Sequence, residues 1–400
     1  MEKFNVKSRK RKDGILNGIT GLFSTFSFII LLALLIYIFQ TGSKSFSFKM
    51  LTADYYETPY FASVTKTSTT VFDLEDTSDI YYSKVWGIGL SDSTDLEGNK
   101  VVRVAYIDNL SPLKNLGTGL SLEEEQIIVR ISIINKDTNL TEIGISSYGA
   151  KKIASYFDMG TIITEIYYST EGGGIRGSII TTLYLILLTL VIAIPIGVIA
   201  AIYLSEYARD NKLTRLIRSM IDMIGGIPSI IFGLIALSVF IPFVNSVTNK
   251  TGGSILSGAL TLSLMLLPTI IRTTEEAINT IPKSYREASL ALGASKTETT
   301  FKIILPNALG GILTSTLLSI GRIIGESAAL IFAIGTSIKD SVSVLDSSTS
   351  LSVHIWTVLS SESPNYSQAC AISIVIIFIV LILNISIKLI TRKLNRFGGK

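Results

Sequence analysis

One cysteine and one histidine occur in 400 residues, and only 16% of the chain is charged. A lone Cys370 excludes a disulfide framework within the chain. One Cys and one His cannot furnish the nitrogen and sulfur ligands of a transition-metal enzyme site. No G-x-x-x-x-G-K-[ST] stretch is present, so the chain has no phosphate-cradling loop of its own for hydrolysing ATP. Gly172-x-Gly174-x-x-Gly177 has the letters of a dinucleotide fingerprint but no βαβ context, and reads better as a flexible entry to an apolar segment. No catalytic residue, metal or cofactor is expected.

What the chain does have is apolar length. Hydrophobic residues make up 48% and the mean hydropathy is +0.51. Crossing a bilayer takes about 20 apolar residues in a helix. Six stretches reach that length, at about 16–39, 178–203, 226–244, 254–271, 309–334 and 367–390. The third is interrupted by Gly225-Gly226-Ile227-Pro228. The first is too long for a cleaved signal peptide and has no Ala-x-Ala site after it, so it reads as an anchor. Single Cys370, at the start of the last stretch, reads as a small buried apolar residue.

Basic residues set the orientation. Lys3, Lys7, Arg9, Lys10, Arg11 and Lys12 precede the first stretch. Arg209, Lys212, Arg215 and Arg218 lie between the second and third. Arg272, Lys283, Arg286, Lys296 and Lys302 lie between the fourth and fifth, and Lys388, Arg392, Lys393, Arg396 and Lys400 close the chain. The short loops on the other side carry only Lys250 and Lys339. Both termini are therefore expected in the cytoplasm of a multi-pass plasma-membrane protein. The one-sidedness of these clusters argues for topology and against nucleic-acid binding. Leu213, Leu216, Ile217, Met220, Ile221 and Ile224 form an apolar stripe, which predicts an interfacial helix leading into the third span or a plain continuation of it.

The sequence divides into three parts: a basic N-terminus with the first span (1–40), an inserted segment (41–175) and the remaining membrane unit (176–400). The insert lies between the first two spans, so it is expected outside the cell. It carries 18 acidic against 11 basic residues, a formal charge of −7. Val101 to Ile107 and Ile127 to Ile134 have strand character, and Lys151 to Asp158 reads as a short helix with Ile153 and Phe157 on one face. A small β-rich extracytoplasmic domain follows, with no catalytic or metal spacing in it. His354 lies in the polar stretch 336–366, where Leu351, Ile355, Val358 and Leu359 have helical spacing. It is expected on a partly exposed helix at the membrane surface.

The polar loop at about 272–307 is the most informative segment. Pro282 suits the start of a short helix, Gly293 a left-handed bend that ends it, and Ser295 with Glu298 a capping box that opens a second helix toward Pro306. Glu287-Ala288-Ser289, then Gly293, then Ile303-x-Leu305-Pro306 resembles the EAA loop of ABC-importer permeases, with Ser289 in place of the second alanine. The resemblance implies an all-α membrane bundle of about six transmembrane helices, the type I importer permease fold. It also implies that Glu287, Ala288, Gly293, Leu305 and Pro306 belong to a loop that docks into a separate ATPase subunit.

A narrower resemblance covers 171–397. Glu171-Gly-Gly-Gly, Tyr203-Leu-Ser-Glu-Tyr-Ala, Gly226-Ile-Pro-Ser-Ile-Ile-Phe-Gly-Leu, Leu267-Pro-Thr-Ile-Ile-Arg-Thr-Thr-Glu-Glu-Ala, Gly321-Arg-Ile-Ile-Gly-Glu-Ser-Ala and Val353-His-Ile-Trp occur in the order found in phosphate-importer permeases of the PstA type. That family implies four kinds of neighbour: a second, related permease, a dimer of cytoplasmic ATP-binding subunits, an extracytoplasmic phosphate-binding protein and membrane lipid. The chain departs at Ser327-Ala-Ala-Leu, where the family commonly has Thr-Ala-Pro-Leu, and in the long insert at 41–175. An importer of sulfate, molybdate or tungstate is the nearest alternative. A membrane-anchored sensor or assembly protein is a more distant one.

In the fifth stretch Ser315, Ser319, Arg322 and Glu326 are spaced four, three and four residues apart and share a helix face. An unpaired charge in mid-membrane costs roughly 2.5–3.5 kcal/mol. An Arg–Glu pair at this spacing recovers only about 0.2–0.5 kcal/mol. The stripe must therefore face protein or water, either as an interhelical clamp or as a lining of the translocation route. Arg272, after Pro268, reads as a snorkelling anchor rather than a substrate contact.

Overall fold

The structure, a computed structural model, describes residues 6–64, 71–96, 98–116 and 120–397; only the backbone is described for residues 6–12, 161 and 391–397. Lys3 and Lys400 lie outside the described residues. Six helices are long and apolar enough to cross a membrane: Asp13–Gly42, Arg176–Tyr207, Ser229–Thr248, Ile255–Asn279, Lys296–Gly325 and Tyr366–Ile390. They are called spans one to six below.

Span two packs along span four, and span five packs on both. Leu185, Ala193, Leu262, Met265, Leu266, Ile270, Ile323 and Ile324 form their common core. Span four opens on a reciprocal capping box, Ser254 with Ser257, which satisfies donors that a helix start leaves free. Span one is exposed along its length and meets span six near Gly42. Cys370, on span six at that contact, is half-buried rather than buried.

Two spans differ from the sequence reading. A separate helix, Lys212–Gly225, precedes span three, which starts only at Ser229. Pro228 has no N–H to continue the ladder, so the chain breaks there. Leu213, Leu216, Ile217, Met220 and Met223 of the preceding helix are exposed, as an interfacial helix requires. Span five is not continuous to 334. It ends at Gly325, Glu326 is extended, and a short helix Ala328–Ala333 follows. The Glu326 carboxylate accepts the Ala329 N–H at 3.1 Å, satisfying a free donor of that short helix. The break thus forms with no proline at position 329.

The insert folds as a seven-stranded antiparallel sheet: β1 (Pro59–Val64), β2 (Tyr81–Ser83), β3 (Ile88–Thr94), β4 (Lys100–Ile107), β5 (Ile127–Asn135), β6 (Thr141–Ile145) and β7 (Gly160–Ser169). The order is β1-β7-β5-β4-β3-β2, and β6 also pairs with β5. The helix Ala150–Met159 lays Ile153, Ala154 and Phe157 against Trp86, Ile88, Leu90, Val102, Ile131 and Ile133. Ile128 joins the sheet's core, Ile127 is buried outside that cluster, and register shifts with β7 follow from Ile128 onward.

Candidate functional site

At the end of the bundle away from the sheet, spans four and five are joined by the helices Lys283–Ala291 and Lys296–Thr299. Pro282 is the residue before the first helix. Gly293 adopts φ +87° between them, in open space where no neighbour forces the bend. Glycine takes that conformation without the steric cost of a β-carbon. Ser295 and Glu298 form both halves of the capping box. The second helix continues through a widened turn, Thr300–Ile304, into span five. Ser289 and Thr299 hydroxyls meet at 2.8 Å and are buried, which ties the two helices together across the bend. Glu287, Ala288, Leu290, Leu292 and Gly293 are exposed on the far side; Pro306 is also exposed, and Leu305 is half-buried.

The polar stripe of span five divides. Ser315 and Ser319 are buried, and their hydroxyls donate back to the Ile312 and Ser315 carbonyls at 2.7 and 2.8 Å. Arg322 is exposed and reaches Thr269 Oγ1 of span four at 3.4 Å. Glu326 lies beyond the helix end, bonded to the following helix. Among the described residues no carboxylate pairs with Arg322. The four residues therefore do not all share one helix face: Arg322 makes an interhelical contact with span four, and Glu326 pairs with the following helix instead. Ser315, Ser319 and Arg322 keep their common spacing on the unbroken helix; Glu326 alone leaves it, because the helix ends at Gly325, which a spacing argument that assumes continuity does not show.

Arg272 is more than a snorkelling anchor. It pairs with Asp222 of the helix before span three and lies 3.5 Å from buried Glu275, which also meets Arg218 at 2.8 Å. These charges fasten that helix to span four. His354 is fully buried on the helix Leu351–Leu359, with Nδ1 2.8 Å from Ser178 Oγ and its ring edge-on to Tyr55. It is therefore not on an exposed surface helix.

The sequence reading missed the junction between sheet and bundle. Glu171, just before span two, is buried; Arg103 of β4 grips it at 3.0 and 2.9 Å and Lys49 at 2.8 Å. Glu125 joins through Lys49 at 2.9 Å and Arg103 at 3.2 Å. The Asp340 carboxylate accepts the Tyr55 and Tyr56 N–H groups at 2.5 and 3.2 Å, and Arg176 pairs with Asp54. A β-carbon at Gly174 would overlap the Ala53 carbonyl, and one at Gly177 the Lys339 carbonyl. Gly172 to Gly177 is thus a close-packed seam, not a flexible entry: Gly174 and Gly177 are needed for close approach, and Gly173 for its φ of +86°. An acidic residue abutting an apolar span was the available signal.

Burial pushes the Glu171 carboxyl up, but the hydrogen bonds and charges of Arg103 and Lys49 outweigh it and hold the group below its usual range. A carboxyl whose pKa is depressed on folding contributes stability that is present at neutral pH and is lost as pH falls through its folded value. Acidification from neutral into that range should loosen the sheet on the bundle, and Glu171→Gln should loosen it already at pH 7. The cost of leaving Arg103 without its partner is on the order of 1–3 kcal/mol. Spin labels at Asn115 and Glu362 should give a distance distribution that broadens in both cases. A distribution unchanged in Glu171→Gln would remove the ion pairs from the joint.

A family model described as the binding-protein-dependent transport system inner membrane component matches residues 193–397. The chain is 33% identical over 261 residues to the probable ABC transporter permease protein YqgI of Bacillus subtilis, covering 61% of this chain and 86% of that one. It is 32% identical over 216 residues to the phosphate transport system permease protein PstA of Pasteurella multocida, covering 54% and 75%. Among solved structures, a chain of the inward-facing MetNI methionine ABC transporter aligns at 21% identity with a TM-score of 0.43, over 55% of this chain and 94% of that one.

Proposed function

The chain belongs to the family of binding-protein-dependent transport system inner membrane components, and from that premise we propose that it carries inorganic phosphate into the cell. It is a multi-pass ABC-importer permease subunit and not itself an enzyme; ATP hydrolysis lies with a partner. The family and the PstA relatives support the finer reading, and one observation carries it chemically. Arg322 leaves a guanidinium exposed with no carboxylate pairing it among the described residues. A guanidinium fork matches the oxygens of a tetrahedral oxyanion and stays charged at any working pH.

The remaining parts of the reading follow from charge and topology. Basic residues at the loop end place that end in the cytoplasm, so the sheet and the segment 41–175 lie outside. The exposed face with Glu287, Ala288 and Gly293 is the surface that meets the ATP-binding subunits, while Leu305 and Pro306 carry its motion into span five. A second, related permease completes the pathway beside Arg322, and an extracytoplasmic phosphate-binding protein delivers the anion. ATP binding then draws the loop toward the ATPase dimer and opens the pathway outward; hydrolysis returns it inward.

Uptake of labelled phosphate by the reconstituted complex tests the cargo. Excess unlabelled phosphate should suppress uptake, and sulfate or molybdate at the same concentration should leave it nearly intact. Suppression by molybdate or sulfate in place of phosphate would assign the permease to another oxyanion.

A further inference from the structure

Span two ends in a widened turn, Tyr203–Tyr207, closed by a 2.7 Å bond from Ala208 N–H to the Tyr203 carbonyl. Such a turn holds one residue more than an α-turn and re-aims the side chains after it, and turns of this kind concentrate at functional sites. Here the re-aimed side chains are Glu206 and Tyr207. Glu206 accepts from Arg286 Nε and Nη2 at 3.0 and 2.7 Å; both side chains are largely buried. Arg286 belongs to the first loop helix. It donates further to the Ile281 and Ile278 carbonyls at 2.9 and 3.0 Å, satisfying acceptors where span four runs out. Tyr207 turns to the second loop helix instead: its hydroxyl reaches Thr297 at 3.3 Å, and Lys296 Nζ lies 5.2 Å from its ring centre. One helix end thus holds both arms of the bent loop, and the Ser289–Thr299 contact holds the arms to each other.

We propose that Glu206 and Tyr207 are positioning residues that fix the angle of the loop against the bundle, so that a displacement of the loop is passed to span two as well as to spans four and five. The proposal rests on the reading that this loop meets the ATPase. Without the clasp, the loop helices keep their covalent ends, the Arg286–carbonyl bonds and the apolar packing of Ile281 and Ile304 with Ile202, but lose the polar hold of span two on their angle. It can then follow the ATPase while span two stays behind. ATP is still hydrolysed, and less phosphate moves for each ATP.

The test compares Glu206→Gln, which keeps shape and removes charge, with Glu206→Asp, which keeps charge at shorter reach. In the reconstituted complex, phosphate moved per ATP hydrolysed should fall at least fivefold in Glu206→Gln and return to within about twofold of the wild type in Glu206→Asp, with equal ATPase recovery. Tyr207→Phe should lower the ratio more mildly, because it removes one hydroxyl contact. An unchanged ratio in Glu206→Gln overturns the proposal, as does an equal loss in both Glu206 variants through failed assembly. A second measurement does not depend on the ATPase. Spin labels at Leu292 and Arg209 of the full-length permease should show a distance distribution that broadens in Glu206→Gln. A distribution as narrow as the wild type's overturns the clasp even where the loop is shown to bind the ATPase. Retained ATPase capture after charge reversal at Glu287 sinks the docking reading instead.

Discussion

Arg322→Gln is expected to reduce phosphate uptake by roughly tenfold to a hundredfold while the complex still assembles. A hydrogen bond to a charged group is worth about 1.5–3 kcal/mol, and each 1.4 kcal/mol is a factor of ten. Arg322 is exposed, and among the described residues its side-chain hydrogen bond is to Thr269 at 3.4 Å, too little to explain a loss through misfolding. Lysine should restore only part of the uptake, because it supplies charge without the planar fork. The exchange Arg322→Glu with Glu326→Arg should not restore uptake. It places a carboxylate on the exposed helix face, and it sets a cation against the Ala329 N–H that Glu326 now accepts. Uptake near normal in the exchanged protein, at equal expression, would remove Arg322 from the pathway.

Gly293→Val should leave the permease inserted and cost it most of its captured ATPase. The bend at φ +87° has no neighbour within 4 Å, so the penalty comes from the backbone alone. A β-carbon in that conformation costs about 1–2 kcal/mol, and a β-branched one more. The strain is relieved by straightening the loop, which pulls Ser289 from Thr299. Gly293→Asn adopts the same conformation at lower cost and should behave nearly as the wild type, separating the effect of the bend from that of mere bulk. Glu287→Lys reverses a charge on the exposed face of the first loop helix and should weaken capture without altering the loop. Full capture with both Gly293→Val and Glu287→Lys would take the loop out of the ATPase contact.

The loop was legible in the sequence because each of its features is local: a proline, a glycine and a Ser–Glu pair dictate their own backbone within three residues. The strands Lys100–Ile107 and Ile127–Asn135 and the helix Ala150–Met159 were legible for the same reason, since side-chain pattern alone carries them. β7 carried a comparable signal in Ile-Ile-Thr-Glu-Ile-Tyr-Tyr and was passed over. β2 and β6 are too short and polar to announce themselves; they exist because β3 and β5 offer an edge to pair with. On span five the assumption of continuity fails only at Glu326. Periodicity counts residues around an axis, and the axis stops at Gly325. Contacts between distant residues left no pattern at all. Nothing near Glu171 in the sequence points to Arg103, nor anything near Glu206 to Arg286, because the fold alone makes them neighbours.

The chain enters and leaves the sheet at one place. Gly173 N–H bonds the Tyr55 carbonyl at 2.8 Å, Gly174 bonds Asp54 at 3.0 Å, and Ile175 bonds Met50 at 2.9 Å, so the two crossings run side by side. This is the geometry of a cassette: a doorway two strands wide, through which a whole module can be added or removed without re-threading any helix. A tight turn between Glu57 and Thr170 would close the gap, and a permease without the module needs only that turn opened to receive it. The ion pairs of Glu171 and the backbone bonds of Asp340 then serve as the socket, to which the module itself contributes Arg103 of β4. Transplantation should therefore depend on carrying Lys49, Arg103, Glu171 and Asp340 as a set.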